Sequence, residues 1–231
     1  MQKTPACKSR LASANLSSIG PGGQRSLSRA CVGIAGLGGV GGIAFELLLR
    51  AGIDRLKISD SGFFEESNAN RQSLWSREND GQKKTAAALA FASSIGSRCS
   101  ISEFAEITRS NSSQFARGCA AVIDATDTPS SRMAVFSGCK KYGVPYIFAS
   151  ARGHCGMLSV FSGRDFPREF SISKAKKCLP CDHALGPVAN AIGCIAAQQA
   201  MNAALKKPLV LFPNVLSIDA FSGKIAIVHE F

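Results

Sequence analysis

"ACVGIAGLGGVGGIAFELLLRAG", residues 30–52, runs from an apolar stretch suited to a buried strand, through a cluster of glycines, into a segment of helical period. The cluster reads Gly36-x-Gly38-x-x-Gly41. Glycines in such a turn let the backbone approach a phosphate, and the amino end of the following helix aims N–H donors at the anion. Asp60 closes the next apolar run, "RLKISD", about twenty-odd residues downstream, the separation from which a carboxylate reaches an adenosine ribose. Strand, turn, helix and acid together predict a nucleotide-binding unit. By themselves they fit a NAD-dependent dehydrogenase, an ATP-using enzyme and a binding domain without catalysis.

The same alternation continues outward. "KKTAAALAFASSI" has helical period, "AAVIDAT" suits a strand, "SSRMAVFSGCKKYG" a helix and "PYIFASA" a strand. That order predicts a Rossmann-like α/β fold, a mostly parallel sheet with crossover helices. Beyond residue 155, "GMLSVFSG" reads as a strand and "GPVANAIGCIAAQQAMNAALKK" as a long helix entered through Gly186 and Pro187. "VLSIDAFSGKIAIVHEF" reads as a C-terminal β-hairpin turning at Ser222-Gly223. With 231 residues, 45% of them hydrophobic, the chain supports one substantial core. The expected organisation is a lead-in helix or loop over 1–30 and a single nucleotide-binding domain over 31–231.

The net charge is +11, but Lys and Arg are spread along the chain without an aromatic-interleaved basic cluster. Anionic ligands or an acidic protein partner are therefore expected rather than nucleic acid. Nine cysteines, an odd number without repeating spacing, and the lack of a signal peptide at the start suggest mostly free thiols in a reducing, cytoplasmic setting. The opening "MQKTPACKSRLASANLSSIGPGG" has the Ser-rich, basic, acid-poor composition of a transit peptide, but its later part also matches a structural lead-in. The best candidate for a membrane span, "VANAIGCIAAQQAMNAAL", carries two Asn and two Gln, so no span is expected.

"SNANRQ" places Asn68 and Arg71 three apart, so that one helical turn would set amide and guanidinium on one face. Lys84 begins the next helical segment, and "DATD" puts Asp124 and Asp127 at a strand end. In a doubly wound sheet those ends line the crevice of the glycine turn. Arg, Lys and a carboxylate converging on one anion suit phosphate chemistry better than hydride transfer.

Here a resemblance becomes specific. "IGPGGQRSLSRACVGIAGLGGVGG", "SDSGFFEESNANRQSL", "DGQKK", "VIDATDTPSSR", "VPYIFASARGHCGMLSVF" and "CLPCDHALGPVANAIG" resemble, in order, motifs of the ThiF/MoeB/HesA family of ubiquitin-activating-enzyme-like adenylyltransferases. The resemblance covers the chain from about residue 19 nearly to its end. It implies that residues 31–231 form an adenylation domain binding ATP with Mg²⁺, the nucleotide lying at Gly36, Gly38, Gly39 and Gly41 with its ribose on Asp60. It further implies phosphate contacts from Arg71 and Lys84, polar support from Asn68 and Gln72, and Mg²⁺ at Asp127. The family reaction adenylates the C-terminal glycine of a ubiquitin-like sulfur carrier ending in Gly-Gly, of ThiS or MoaD type, commonly on a homodimer and without a membrane. Related readings are adenylation of a small-molecule or modified-tRNA carboxylate and a non-catalytic carrier-binding relative.

Some positions depart from the family pattern. Ala12 stands where relatives often place the second arginine of a lead-in, with Arg10 nearby but off register, and Gly62 stands where a second acid is common. "KKCLPCDHALG" carries Cys178 and Cys181, which match the first hook of the family's Zn²⁺ clasp, whereas "LSIDAFSGKIAIVHEF" carries no second hook. His183 is too close in sequence to form a second hook, and His154, Cys155 and His229 are candidates only where the fold brings them near. Lys176 and Lys177 would favour a thiolate at Cys178, so a thiol nucleophile at Cys178 or Cys181 stands beside zinc, and a pair without chemistry beside both. Cys194 is expected as a small apolar residue within its Ala-rich helix, and Asp124 as a residue that simply ends its strand.

Overall fold

The computed structural model describes residues 10–163 and 183–229. The side chains at 10–12, and with them those of Arg10 and Ala12, lie outside that description.

The apolar runs of the first two thirds become β1 (Cys31–Ala35), β2 (Arg55–Ser59), β3 (Ser100–Phe104), β4 (Ala121–Asp124) and β5 (Tyr146–Arg152), and pair in parallel in the order β3-β2-β1-β4-β5. Between them run α2 (Gly39–Arg50), α3 (Lys84–Ser94), α4 (Ser112–Ala116) and α5 (Pro129–Tyr142), preceded by α1 (Leu16–Arg29). The sheet continues antiparallel through β6 (Cys155–Phe161), β7 (Asn214–Asp219) and β8 (Lys224–His229), with α6 (Gly186–Leu205) between β6 and β7. This is the Rossmann-like architecture that the sequence predicts, with the C-terminal hairpin turning through Gly223 at φ 68°.

Successive strand residues face opposite layers, and both layers are covered. Val32, Ile34, Leu56, Ile58, Ile123 and Ile147 pack with Leu27, Phe45, Leu48, Ala88, Ile192 and Ala196 of the helices on one side. Cys31, Ala35, Val122, Tyr146 and Phe148 pack with Phe115, Val135 and Phe136 on the other. Strands buried on both faces need continuous apolar runs, which is why these were readable. β3, "SISEF", forms the outer edge, is largely exposed, and has no such run to betray it.

Register places Ala35 beside both Ser59 and Asp124, so the carboxyl ends of β1, β2 and β4 lie level. Strand order reverses at β1, opening a crevice between the β1 and β4 ends, the usual ligand position in an open α/β sheet. α1, bent at Gly20 (φ 65°), buries Leu27 completely, and Gln24 Nε2 donates to Ala51 O at 2.8 Å, so the lead-in packs in the same core as the sheet. Cys194 proves exposed, on an outward stripe of α6 with Pro187 and Gln198; the helical period that buries Gly193 and Ala197 turns the residue between them to solvent. No described helix is long and apolar enough to cross a membrane.

α2 and α6 approach closely because Gly193 has no side chain: a Cβ there would stand 2.2 Å from Ile43 Cγ2 and 2.4 Å from Val40 O. Gly193→Ala is expected to destabilise the protein by about 2 kcal/mol or more, measured by denaturant unfolding. Gly22→Ala, whose Cβ meets only Arg25 Nη2 at 4.0 Å, should stay within about 1 kcal/mol of the unsubstituted protein.

Candidate functional site: a crevice at the carboxyl ends of the strands

A cavity of about 710 Å³ occupies the crevice, lined by Gly36, Gly38, Gly39, Asp60, Arg71, Gln72, Lys84 and Asp127 among others. Gly36 (φ 86°) makes the turn out of β1, and its N–H donates to Ser59 O at 2.7 Å. A Cβ on Gly36 would stand 2.7 Å from Ala125 O, and one on Gly41 1.8 Å from Gly36 O. Gly36 and Gly41 therefore permit the turn, whereas Gly38 and Gly39 bring it to the cavity; Gly41 itself is packed behind the wall. Gly38, the residue before α2, supplies no side-chain cap, so the amino end of the helix stays open to a ligand.

Asp60 follows β2 with both carboxylate oxygens fixed: Oδ2 accepts from Leu37 N–H at 2.6 Å and Oδ1 from Gly62 N–H at 2.7 Å. Among the described residues, Arg71 is held without a carboxylate. Its Nη1 donates to Ser67 O at 2.9 Å and Asn70 Oδ1 at 2.7 Å, and its Nη2 lies 3.3 Å from His183 Nδ1. Partial burial lowers its pKa from the usual arginine value. Lys84, the first residue of α3, sets its ammonium 5.8 Å from the Phe64 ring centroid and makes no ion pair among the described residues. Asp127 is exposed and its carboxylate has no hydrogen bond or ion pair among the described residues. Arg71, Lys84 and Asp127 thus share one cavity without an ion pair among the described residues.

Asn68 departs from expectation. The segment is a short 3-10 turn, Glu66–Asn68, rather than an α-helix, so the spacing of three does not set Asn68 beside Arg71 on a common face. Asn68 is buried, with its Oδ1 accepting from Glu65 N–H at 3.2 Å, and its carbonyl receives the N–H groups of Arg71 and Gln72. It shapes the loop and does not line the cavity. Gln72 does line it, and its buried Oε1 has no partner among the described residues. His183 and Arg132 also line the cavity. Sequence alone gave no sign of the contact between His183 and Arg71, because 112 residues separate them.

Cys178 and Cys181 lie outside the described residues. His229 pairs with Asn214 Oδ1 at 3.1 Å across the hairpin. Among the described residues only His154, Cys155 and Asp219 bring ligating atoms within 4.8 Å of one another. Cys155 is disulfide-bonded and offers no thiolate, so this group does not fit zinc. Cys31, Cys99, Cys119, Cys139 and Cys194 are free. The Cys119 thiol, 3.9 Å away, brings Cys31 down to about 7 against the effect of burial, but neither residue lines the cavity.

A parallel sheet with an open helix terminus, a locked acid and cations without ion pairs among the described residues at its switch point is an α/β arrangement suited to an anionic ligand. Among proteins so built the chain belongs to the ThiF family, whose model matches residues 11–230. It is 30% identical over 214 residues to the adenylyltransferase and sulfurtransferase MOCS3 of Arabidopsis thaliana, covering 89% of this chain and 46% of that protein. It is 34% identical over 143 residues to the sulfur carrier protein ThiS adenylyltransferase of Bacillus subtilis, covering 60% of this chain and 42% of the relative. With the molybdopterin-synthase adenylyltransferase of Salmonella typhimurium the identity is 32% over 185 residues, 78% of this chain and 74% of the relative. The chain thus spans less than half the length of the first two. The fold is similar to that of E. coli MccB in its structure with ATP, at a TM-score of 0.79 and 21% identity, covering 98% of this chain and 73% of MccB.

Gly41→Ala is expected to lower nucleotide affinity at least about tenfold, the equivalent of about 1.4 kcal/mol, because the new methyl displaces Gly36 from the turn. Titration of a fluorescent ATP analogue measures it, and unchanged affinity would contradict the assigned turn.

Proposed function

We propose that this chain uses MgATP to adenylate the C-terminal glycine of a ubiquitin-like sulfur-carrier protein ending in Gly-Gly. The observation that carries the proposal is that Arg71 and Lys84 face the cavity beside the open end of α2 without a carboxylate partner among the described residues. Cations held ready by neutral acceptors match a polyphosphate, whereas hydride transfer from a nicotinamide asks for no such pair. The relatives named as adenylyltransferases of ThiS and of molybdopterin synthase support the reaction class and the partner.

In this reading Gly38 and Gly39 bring backbone donors to the phosphates, Asp60 accepts from the ribose hydroxyls, and Gln72 offers its unpartnered oxygen to the nucleotide or its water. A carboxylate oxygen of the carrier attacks the α-phosphorus, the bond between α-phosphorus and its bridging oxygen to the β-phosphate breaks, and pyrophosphate departs. Arg71 and Lys84 hold the two anionic reactants together and balance charge gathering on the leaving group, the effect that dominates such chemistry in a site drier than water. No protein nucleophile is required. Asp127 suits Mg²⁺, an ion that keeps several waters and takes one or two carboxylates together with substrate phosphates. When bound, Mg²⁺ supplies further neutralisation of the phosphates. A homodimer acting in the cytoplasm belongs to the same proposal.

Carrier-dependent ATP–pyrophosphate exchange tests it. Arg71→Ala and Asp127→Ala should each lower exchange by about a hundredfold or more while thermal melting stays near that of the unsubstituted protein. Arg71→Lys should recover little, because an ammonium lacks the planar fork. Exchange indifferent to both alanine substitutions would sink the assigned site.

A further inference from the structure

β4 ends on Asp124, whose exposure is 0%. An ionised carboxylate in such a place is costly unless donors surround it. Asp124 Oδ1 accepts from Thr126 N–H at 2.9 Å and from Thr126 Oγ1–H at 2.6 Å, and its Oδ2 accepts from the Tyr146 hydroxyl at 2.5 Å. Tyr146 is itself fully buried, and burial together with the charge of Asp124 pushes its pKa well above the usual tyrosine value, so its hydroxyl stays protonated and donates.

The carbonyl of the same residue, in the next peptide group, is held by a cation. Arg132, 8% exposed, donates to Thr126 O from Nε at 3.1 Å and from Nη2 at 2.6 Å, with its guanidinium centred 4.4 Å from the Phe148 ring centroid. Thr126 is thereby fixed at its N–H, its hydroxyl and its carbonyl. Before it, Ala125 N–H donates to Ala35 O at 2.8 Å, and Ala125 O lies against Gly36. After the turn, Thr128 Oγ1 accepts from Ser131 N–H at 3.2 Å and caps α5. Asp127 sits between these fixed neighbours with its own carboxylate uncommitted among the described residues.

A buried carboxylate and a buried guanidinium gripping the two peptide groups that flank one residue are an expensive way to end a strand, since apolar groups of similar volume are often as stable. We propose that Asp124 is a positioning residue: acting through Thr126, with Arg132 completing the clamp, it sets the direction of Asp127 toward the divalent cation that accompanies ATP. Asp124 touches neither substrate nor metal. The inference rests on the proposed role of Asp127 in holding Mg²⁺.

The test uses the full chain and calorimetric ATP binding as a function of Mg²⁺ concentration, with thermal melting recorded alongside. Thr126→Val keeps the volume and both backbone groups but removes the hydroxyl donor, and Tyr146→Phe removes the other donor at a residue outside the cavity wall. Each should raise the Mg²⁺ concentration at half-maximal ATP binding by about tenfold, the size of effect seen when support behind a metal ligand is removed. ATP binding in chelator should not change in Tyr146→Phe, since Thr126 lines the cavity and Tyr146 does not, and Thr126→Ser, which retains the hydroxyl, should restore the Mg²⁺ midpoint. A lowered melting temperature with an unmoved midpoint in both variants would show a purely structural network and overturn the proposal. ATP binding by the unsubstituted protein that ignores Mg²⁺ would overturn it together with the role of Asp127, and is recognised before any substitution is made.

Discussion

Around Gly36 the backbone meets other backbone with no space for a side chain: a Cβ at this position would lie 2.7 Å from Ala125 O, and one at Gly41 1.8 Å from Gly36 O. This close approach joins the turn after β1 to the turn after β4. It lets Gly38 and Gly39 reach the cavity at the amino end of α2, and it seats the segment carrying Asp127 against the same crevice. The level carboxyl ends of β1, β2 and β4 add Asp60 to that edge. Parallel pairing with helices on both faces positions the site; two glycines determine whether it is open.

The electrostatics follow a second rule. Arg71 is satisfied by a carbonyl, an amide oxygen and an imidazole nitrogen, none of which cancels its charge. An arginine so placed lacks the stabilisation that a carboxylate would give and keeps its attraction for an anionic ligand, a usual compromise between stability and function. Asp124 and Arg132 show the opposite arrangement, with opposite charges committed to protein groups and buried. The cavity therefore combines the uncommitted charges of Arg71, Lys84 and Asp127 with Arg132, whose charge is committed to the turn, while Asp124 lies buried behind.

Much of this was legible in the sequence because the signals were local. The glycine spacing, Asp60 at the end of its strand, the start of α3 at Lys84 and the β7–β8 hairpin each depend on a few neighbouring residues, and the doubly buried strands had to be apolar. Arg71 was found as well, although for a partly mistaken reason, since the loop is not helical and Asn68 turns inward. What stayed hidden depends on contacts between distant residues. Tyr146 meets Asp124 across 22 residues, His183 meets Arg71 across 112, and Cys194 faces solvent through a helical phase that composition does not reveal. The edge strand β3 escaped because an exposed edge needs no apolar run.

Equilibrium calorimetry with ATP and with NADH, in the presence and absence of Mg²⁺, tests most directly the central claim that the crevice is built for a polyphosphate and its cation. The predicted result is saturable ATP binding that Mg²⁺ strengthens and Arg71→Ala weakens, with no heat from NADH. Saturable NADH binding indifferent to Mg²⁺, with ATP silent, would contradict it.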